Sequence, residues 1–293
     1  MTGSAVPGIP APVRAVLFML GAVVLFTLMD VFAKAMAEHF HTVQIVWARY
    51  AFHILILFVL MPRRLFRVYG RTRNARLQVL RGTLILAATS IFFTALGYVP
   101  LADAVAVDML APLFVVALSI PILGERVGPR RWAAVTVGFL GAMIVIRPGL
   151  GAVHPAAMLV VVSTALFALY QVVTRLLSAA DHPFTTLLYT GGTGVAVLSF
   201  VVPFVWRDAG LEGWLLMVGI GLVGCASNFM LIKAYELAQA SFLAPIVYSQ
   251  IVTGTLFGLI FFGDFPDMYT LLGAGLIVAG GFYVTWREGR AEA

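Results

Sequence analysis

Apolar residues run along this chain in long stretches, interrupted by short polar loops. A helix needs about 20 such residues to cross the hydrocarbon of a bilayer. Ten runs meet that length, at approximately 13–37, 42–61, 77–98, 101–121, 131–147, 155–178, 184–205, 212–235, 241–262 and 268–287. In lipid every backbone N–H and C=O must find an internal partner, so only helices and closed barrels can span. The runs are continuously apolar rather than alternating, which excludes the barrel pattern. The pattern predicts an all-α integral membrane protein with ten transmembrane helices.

The runs also repeat. Leu25–Lys34 reads LFTLMDVFAK and Leu166–Arg175 reads LFALYQVVTR. Lys34 becomes Arg175, which keeps the charge, while Asp30 becomes Gln171. At the same offset of 141, His41 falls on His182, Leu57 on Leu198 and Pro62 on Pro203. After the loop at 63–76 the offset becomes 137, placing Gly82 on Gly219, Ser90 on Ser227 and Tyr98 on Tyr235. It then resets to 139, pairing Gly124-Glu125 with Gly263-Asp264. Each half holds five spans, and because five is odd the halves lie in opposite orientations. Inverted repeats mark transporters whose substrate sits near the midplane between the halves. The organisation read from this is a flexible cytoplasmic tail at 1–12, a first five-helix repeat at 13–147, an inverted second repeat at 155–287 and a cytoplasmic tail at 288–293.

Charge orients the chain. Arg63, Arg64, Arg67, Arg71, Arg73 and Arg76 crowd one loop, which the positive-inside bias assigns to the cytoplasm. Arg14, Arg126, Arg130, Arg175, Lys233 and Arg287 then fall at inner ends, with both termini inside. Composition agrees: of 293 residues, 61% are hydrophobic and 11% charged, against about 25% charged in a soluble domain. The net charge of +6 therefore reads as membrane orientation, not as a nucleic-acid surface. Cys225 lies mid-run as a small packing residue.

Five plus five helices, a polar residue late in the first helix of each half, and Gly-Glu or Gly-Asp after the fourth resemble the drug/metabolite transporter superfamily. The nearest branch is the EamA type, which includes amino-acid exporters of the YddG kind. The resemblance covers Arg14 to Arg287. It implies a basket of ten helices around a central cavity lined by helices one, three, four, six, eight and nine. Helices five and ten would lie outside it. Their small-residue ridges, Ala134-Gly138-Ala142 and Gly275-Ala279, suit a scaffold role.

Ionisable groups inside a span are expensive and are functional candidates by default. Asp30, Lys34, Arg49 and Asp108 fall at overlapping depth in the outer half. Asp30 and Lys34 are also at i and i+4, the spacing that brings side chains together on a helix. The expectation is a paired ionic network among these four, either a clamp between helices or a substrate-facing outer gate. Gln171, with Arg175 near the inner end, makes the second half's gate weakly charged. Ser90, Tyr98, Asn228, Tyr235, Tyr248 and Gln250 are further cavity candidates, each of which can equally be packing. Pro112 and Pro245 are candidate hinges, since each breaks a helix and frees carbonyls. His53 reads as a bonded core histidine, and the loop histidines carry no metal spacing.

No HExxH, P-loop, cysteine cluster or GxSxG occurs. The expectation is a non-enzymatic transporter without cofactor or metal, working by alternating access in the inner (plasma) membrane. Its partners are a small-molecule substrate and the bilayer. It is read as a monomer, with a homodimer as the alternative. The substrate class is amino acids, including aromatic ones, moved outward. If both acids are tied to bases they stay ionised, which makes the protein a facilitator. Uptake or exchange of an organic anion or nucleotide-sugar is the alternative. A polytopic membrane enzyme and a non-transporting receptor are alternatives of other classes.

Overall fold

Helical segments follow the apolar runs because a chain that buries its backbone in lipid must bond it within itself. The computed structural model describes residues 10–60, 72–123, 136–137, 139–141, 143–144, 155–178, 180–238, 243 and 246–288. All regular structure among the described residues is helical. In order these are α1 (Ala11–Ala37), α2 (Thr42–Leu60), α3 (Ala75–Leu96), α4 (Leu101–Asp108), α5 (Ala111–Leu123), α6 (Ala157–Ser178), α7 (Pro183–Leu198), α8 (Gly210–Leu237), α9 (Gln250–Phe257) and α10 (Met268–Glu288). Among the described residues five helices are long and apolar enough to cross a membrane: α1, α2, α3, α6 and α8. Gln250–Phe262 and Met268–Ala279 are shorter apolar helices. Most of the expected run at 131–147, the basic loop at 63–71 and the Gly124-Glu125 pair lie outside the described residues.

Three runs differ from expectation among the described residues: 241–262 turns at Tyr248-Ser249 before its helix, and in the other two proline explains the break. The run at 101–121 is two helices, α4 and α5, joined by a turn at Met109-Leu110. Pro112 has no N–H to give the Asp108 carbonyl one turn back, so the helix breaks there. The run at 184–205 stops at Leu198 and resumes as a single 3-10 turn, Val202–Phe204. Pro203 likewise withholds the donor that Ser199 would need. Pro245 lies outside the described residues. After α9 the chain tightens into a π-helical turn at Gly258–Phe262 and leaves through Gly263 at φ 70°. That left-handed cap is cheap only for glycine.

The two halves of the chain are interleaved. α1 lies along α8, α3 along α6, and α2 against α7 and α8. Glycine makes the closest approaches. The Tyr50 ring rests on Gly194 and the Phe52 Cβ on Gly221, so a side chain at either glycine would occupy the space of the other helix. Outward-facing positions such as Leu55, Phe58, Leu215, Leu222, Leu259 and Ile260 are exposed. In lipid such faces are solvated, not sticky. The scaffold ridge expected at Gly275 and Ala279 faces outward, with nothing within 4 Å of a Cβ at Gly275. The close contact falls instead between Gly141 and the Gly273 carbonyl, 2.8 Å from where a Cβ would stand.

His182 caps α7, its Nδ1 accepting the Phe184 N–H at 3.3 Å. Only a neutral imidazole can accept. Partial burial and the Lys233 ammonium hold His182 below its ordinary 6.5, against the pull of Glu236. A base depressed on folding contributes stability above 6.5 that is lost as pH falls from there through the folded value. Amide exchange at Phe184, corrected for its intrinsic rate, is expected to accelerate over that acid window. In His182→Ala it should be fast at every pH.

Candidate functional site

A broken-walled space forms where helices of both halves converge. It is lined from α1, α3, α4, α6, α8 and α9, with Arg49 added from α2, and encloses about 750 Å³ counted out to its open side. Its apolar wall is aromatic and thioether: Phe26, Phe92, Phe93, Phe167, Met19 and Met29. Its polar groups include Asp30, Arg49, Asp108, Gln171, Tyr235 and Gln250.

These polar groups are unequally satisfied. The Arg49 guanidinium donates to the Thr89 hydroxyl and, at 3.1 Å, to the Tyr50 hydroxyl, and lies over the Tyr50 ring. Tyr235 donates its hydroxyl to Gln171 Oε1 at 2.8 Å, holding α8 to α6. The Thr164 hydroxyl lies 2.8 Å from Asp108 Oδ1 and 2.7 Å from the Val160 carbonyl, two acceptors for one hydroxyl proton. Asp30 is only 4% exposed, and no hydrogen bond or ion pair from the described residues reaches its carboxyl group.

The expected four-membered ionic network does not form. Lys34 turns away from Asp30 and donates to Asp264 Oδ2 at 2.7 Å, beyond the end of α1, while resting over the Phe262 ring. A long lysine stem one turn nearer the helix end reaches past it toward a more polar level. Among the described residues neither cavity acid forms an ion pair with a base, which removes the ground for expecting a facilitator.

The remaining candidates scatter. Ser90 donates to the Leu86 carbonyl of its own helix at 2.8 Å. Asn228 is buried and does not line the cavity, donating to the Gly224 carbonyl and accepting from the Tyr170 hydroxyl. Tyr248 is buried, its hydroxyl without a partner, and does not line the cavity. Tyr98 and Arg175 are exposed. Pro112 lies in the first turn of α5, next to the break that follows Asp108. His53 is a buried core histidine with a backbone hydrogen bond to Leu187, as expected, while its Nε2 is without a partner.

A family model for the EamA-like transporter family matches residues 13–147 and again 154–286. The chain belongs to that family. This EamA-like protein is 31% identical over 294 residues to the riboflavin transporter of Rhizobium johnstonii, covering 96% of this chain and 95% of that one. It is 25% identical to the S-adenosylmethionine uptake transporter of Rickettsia felis, with 89% of each chain covered. It is 29% identical to the pseudopaline exporter CntI of Pseudomonas aeruginosa, covering 86% of this chain and 89% of that one. One solved crystal structure superposes with a TM-score of 0.66 over 95% of this chain and 99% of its own at 17% identity, a likeness of fold. It is thus a multi-pass membrane protein of a transporter family.

The EamA-like chain also holds a buried polar centre at Arg81 that its sequence does not single out. Arg81 is 1% exposed. Its Nε donates to Thr174 at 2.7 Å, its Nη1 to Thr190 at 2.6 Å and its Nη2 to the Tyr170 hydroxyl at 2.6 Å. The guanidinium also lies 4.4 Å over the Tyr170 ring. Through Tyr170 it reaches Asn228, so one side chain of α3 gathers α6, α7 and α8. Arg81 stands near one end of its run, where basic residues are ordinary interface anchors. The available signal was Gln78, one turn away on the same helix face and also buried.

Proposed function

We infer that this protein carries small amphipathic metabolites across the plasma membrane by alternating access. Its ten spans form two inverted five-helix repeats, 13–147 and 155–287, with both termini cytoplasmic. The observation that carries this reading is the cavity itself. Both halves contribute walls, aromatic rings line it, and it holds Asp30, Asp108 and Arg49 at once. An ammonium has two carboxyl groups to meet, a carboxylate has a guanidinium, and an apolar side chain has the Phe- and Met-rich wall. Amino acids, including aromatic ones, carry all three features, and export is the direction of the resembling amino-acid exporters. The relatives named for uptake of S-adenosylmethionine support a second reading, import of another small metabolite through the same cavity.

The test is efflux of labelled phenylalanine from cells expressing the chain, with unlabelled amino acids, organic anions and sugar phosphates as competitors. Faster efflux that amino acids suppress supports export of amino acids. Competition by anions alone moves the assignment to the second reading, and no flux of any probe overturns transport.

Lys34 and Asp264 tie the two halves at the proposed outer end. The pair is partly exposed, at 17% and 31%, so its worth is about 1 kcal/mol or less. Lys34→Met and Asp264→Asn are each expected to lower the melting temperature of detergent-solubilised protein slightly. The double variant should lose no more than the larger single loss, and additive losses would show that the pair is not energetically coupled.

A further inference from the structure

Two carboxamides line the cavity with hydrogen bonds to spare. Gln250 is 8% exposed, and no hydrogen bond from a described residue reaches its side chain. Its amide atoms are not among the sealed atoms without a partner, which belong to His53, Gln78 and Tyr248, so they open on the cavity. Its backbone, by contrast, is held. Gln250 opens α9, and its carbonyl accepts the Thr253 hydroxyl at 3.1 Å. The same hydroxyl meets that of Thr27 on α1 at 2.8 Å. Gly254, also on α9, packs against Val105 of α4, whose nearest atom is 2.8 Å from where a Cβ would stand. A fixed base with an unspent tip is unlike a packing residue, because an amide out of water without partners costs free energy. Gln171 spends its Oε1 on the Tyr235 hydroxyl at 2.8 Å, while its Nε2 has no partner among the described residues. Gln171 is the repeat counterpart of Asp30, so the second half brings a neutral amide where the first brings an acid.

A carboxamide sets a carbonyl acceptor beside an N–H donor. Its complement is the same pair reversed, a ring N–H next to a ring C=O, which is the lactam edge of a heteroaromatic. The two fit edge to edge through two parallel hydrogen bonds, as when a glutamine reads adenine. The ring has the side chains of Phe26, Phe92, Phe93 and Phe167 to lie against. We propose that Gln250 reads the lactam edge of a flat heteroaromatic substrate, with Gln171 Nε2 available to a further carbonyl of the same ring. This rests on the transport reading but not on the amino-acid assignment. It narrows the substrate class by its ring, and leaves Asp30 and Arg49 to meet any charged group that the ring carries.

Three probes test the edge: 2-quinolone (a fused aromatic lactam), N-methyl-2-quinolone (the same ring without the N–H) and phenylalanine (a ring without the edge). Each is titrated calorimetrically into purified full-length protein in detergent at one pH. The wild type is expected to bind 2-quinolone about tenfold more tightly than its N-methyl derivative, because the methyl leaves Gln250 Oε1 without its donor. Phenylalanine should bind more weakly than 2-quinolone. Partition into the micelle does not mimic this order, since a donor moved into hydrocarbon without a partner is penalised. Gln250→Met, close in size but unable to make either bond, should lose about tenfold for 2-quinolone and keep its affinity for the N-methyl compound. The ratio then falls to about one, and the retained affinity shows that the variant is folded. If Gln250→Met does not fold, the wild-type ratio alone decides. Flux of labelled 2-quinolone and phenylalanine is followed in proteoliposomes. Discriminating binding without flux of either overturns transport and leaves the lactam site standing. Flux of phenylalanine without binding of 2-quinolone does the reverse. Equal wild-type affinity for the two quinolones, or an unchanged ratio in Gln250→Met, also overturns the lactam site.

Discussion

Arg81→Ala is expected to destabilise the protein by about 2–5 kcal/mol, from the cavity left by a large buried side chain and the hydrogen bonds lost to three hydroxyls. The Ala side chain leaves Thr174, Thr190 and Tyr170 without the donor they share, and empties the space beside the Tyr170 ring. Detergent-purified Arg81→Ala should melt far below wild type or fail to accumulate as a monodisperse species. Arg81→Lys keeps the charge but not the fork of donors, which reaches three acceptors on two helices at once. It is expected to fall between the two. Tyr170→Phe removes one acceptor and should cost about 1 kcal/mol. Equal melting of Arg81→Ala and wild type would show that the network carries no stability.

Gly221→Val is the second large effect, and its origin is steric. A Cβ at 221 would meet the Cβ of Phe52, with the Phe52 Cα at 3.1 Å and the His53 nitrogen at 3.2 Å. Two of these neighbours are backbone, so rotamer changes cannot relieve the contact, and α2 and α8 must separate. Overpacking of this kind costs about 1–3 kcal/mol, occasionally more. Gly194→Val should behave likewise, because the buried Tyr50 ring fills the space. Gly275→Ala, with nothing within 4 Å, is the control and is expected to change stability by no more than about 0.5 kcal/mol. Thermal melts of the three variants side by side would decide it. A loss at Gly275 equal to that at Gly221 would show that the interhelical contact is not the cause, since replacing Gly by Ala in itself favours a helix.

Much of this was legible in the sequence for one physical reason: lipid demands long apolar helices, so their positions stand out. The same demand made Asp30, Arg49 and Asp108 conspicuous, and all three line the cavity. The break after Asp108 followed from Pro112 by covalent chemistry. The pairing was not legible. Helical spacing brings Lys34 near Asp30 on paper, but Asp264, 230 positions away, lies beyond the helix end where a lysine stem extends naturally. Periodicity within one helix carries no information about such a partner. Arg81 was missed because an arginine near the end of an apolar run has two fates, anchoring at the interface or burial in the bundle. Only the tertiary arrangement distinguishes them. Gly275 and Ala279 show the converse error, where a small-residue ridge reads as packing but faces outward.

The reach of Arg81 across the chain also bears on how the protein is made. Its acceptors Tyr170, Thr174 and Thr190 lie 89, 93 and 109 positions further on. At a synthesis rate of about 5–20 residues per second, helix α3 exists for roughly 4 to 20 s before they leave the ribosome. During that interval the guanidinium has none of these partners, and it is best accommodated at the headgroup level, where it can still reach water. Helix α3 thus takes its final depth only when the second half of the chain arrives to receive it.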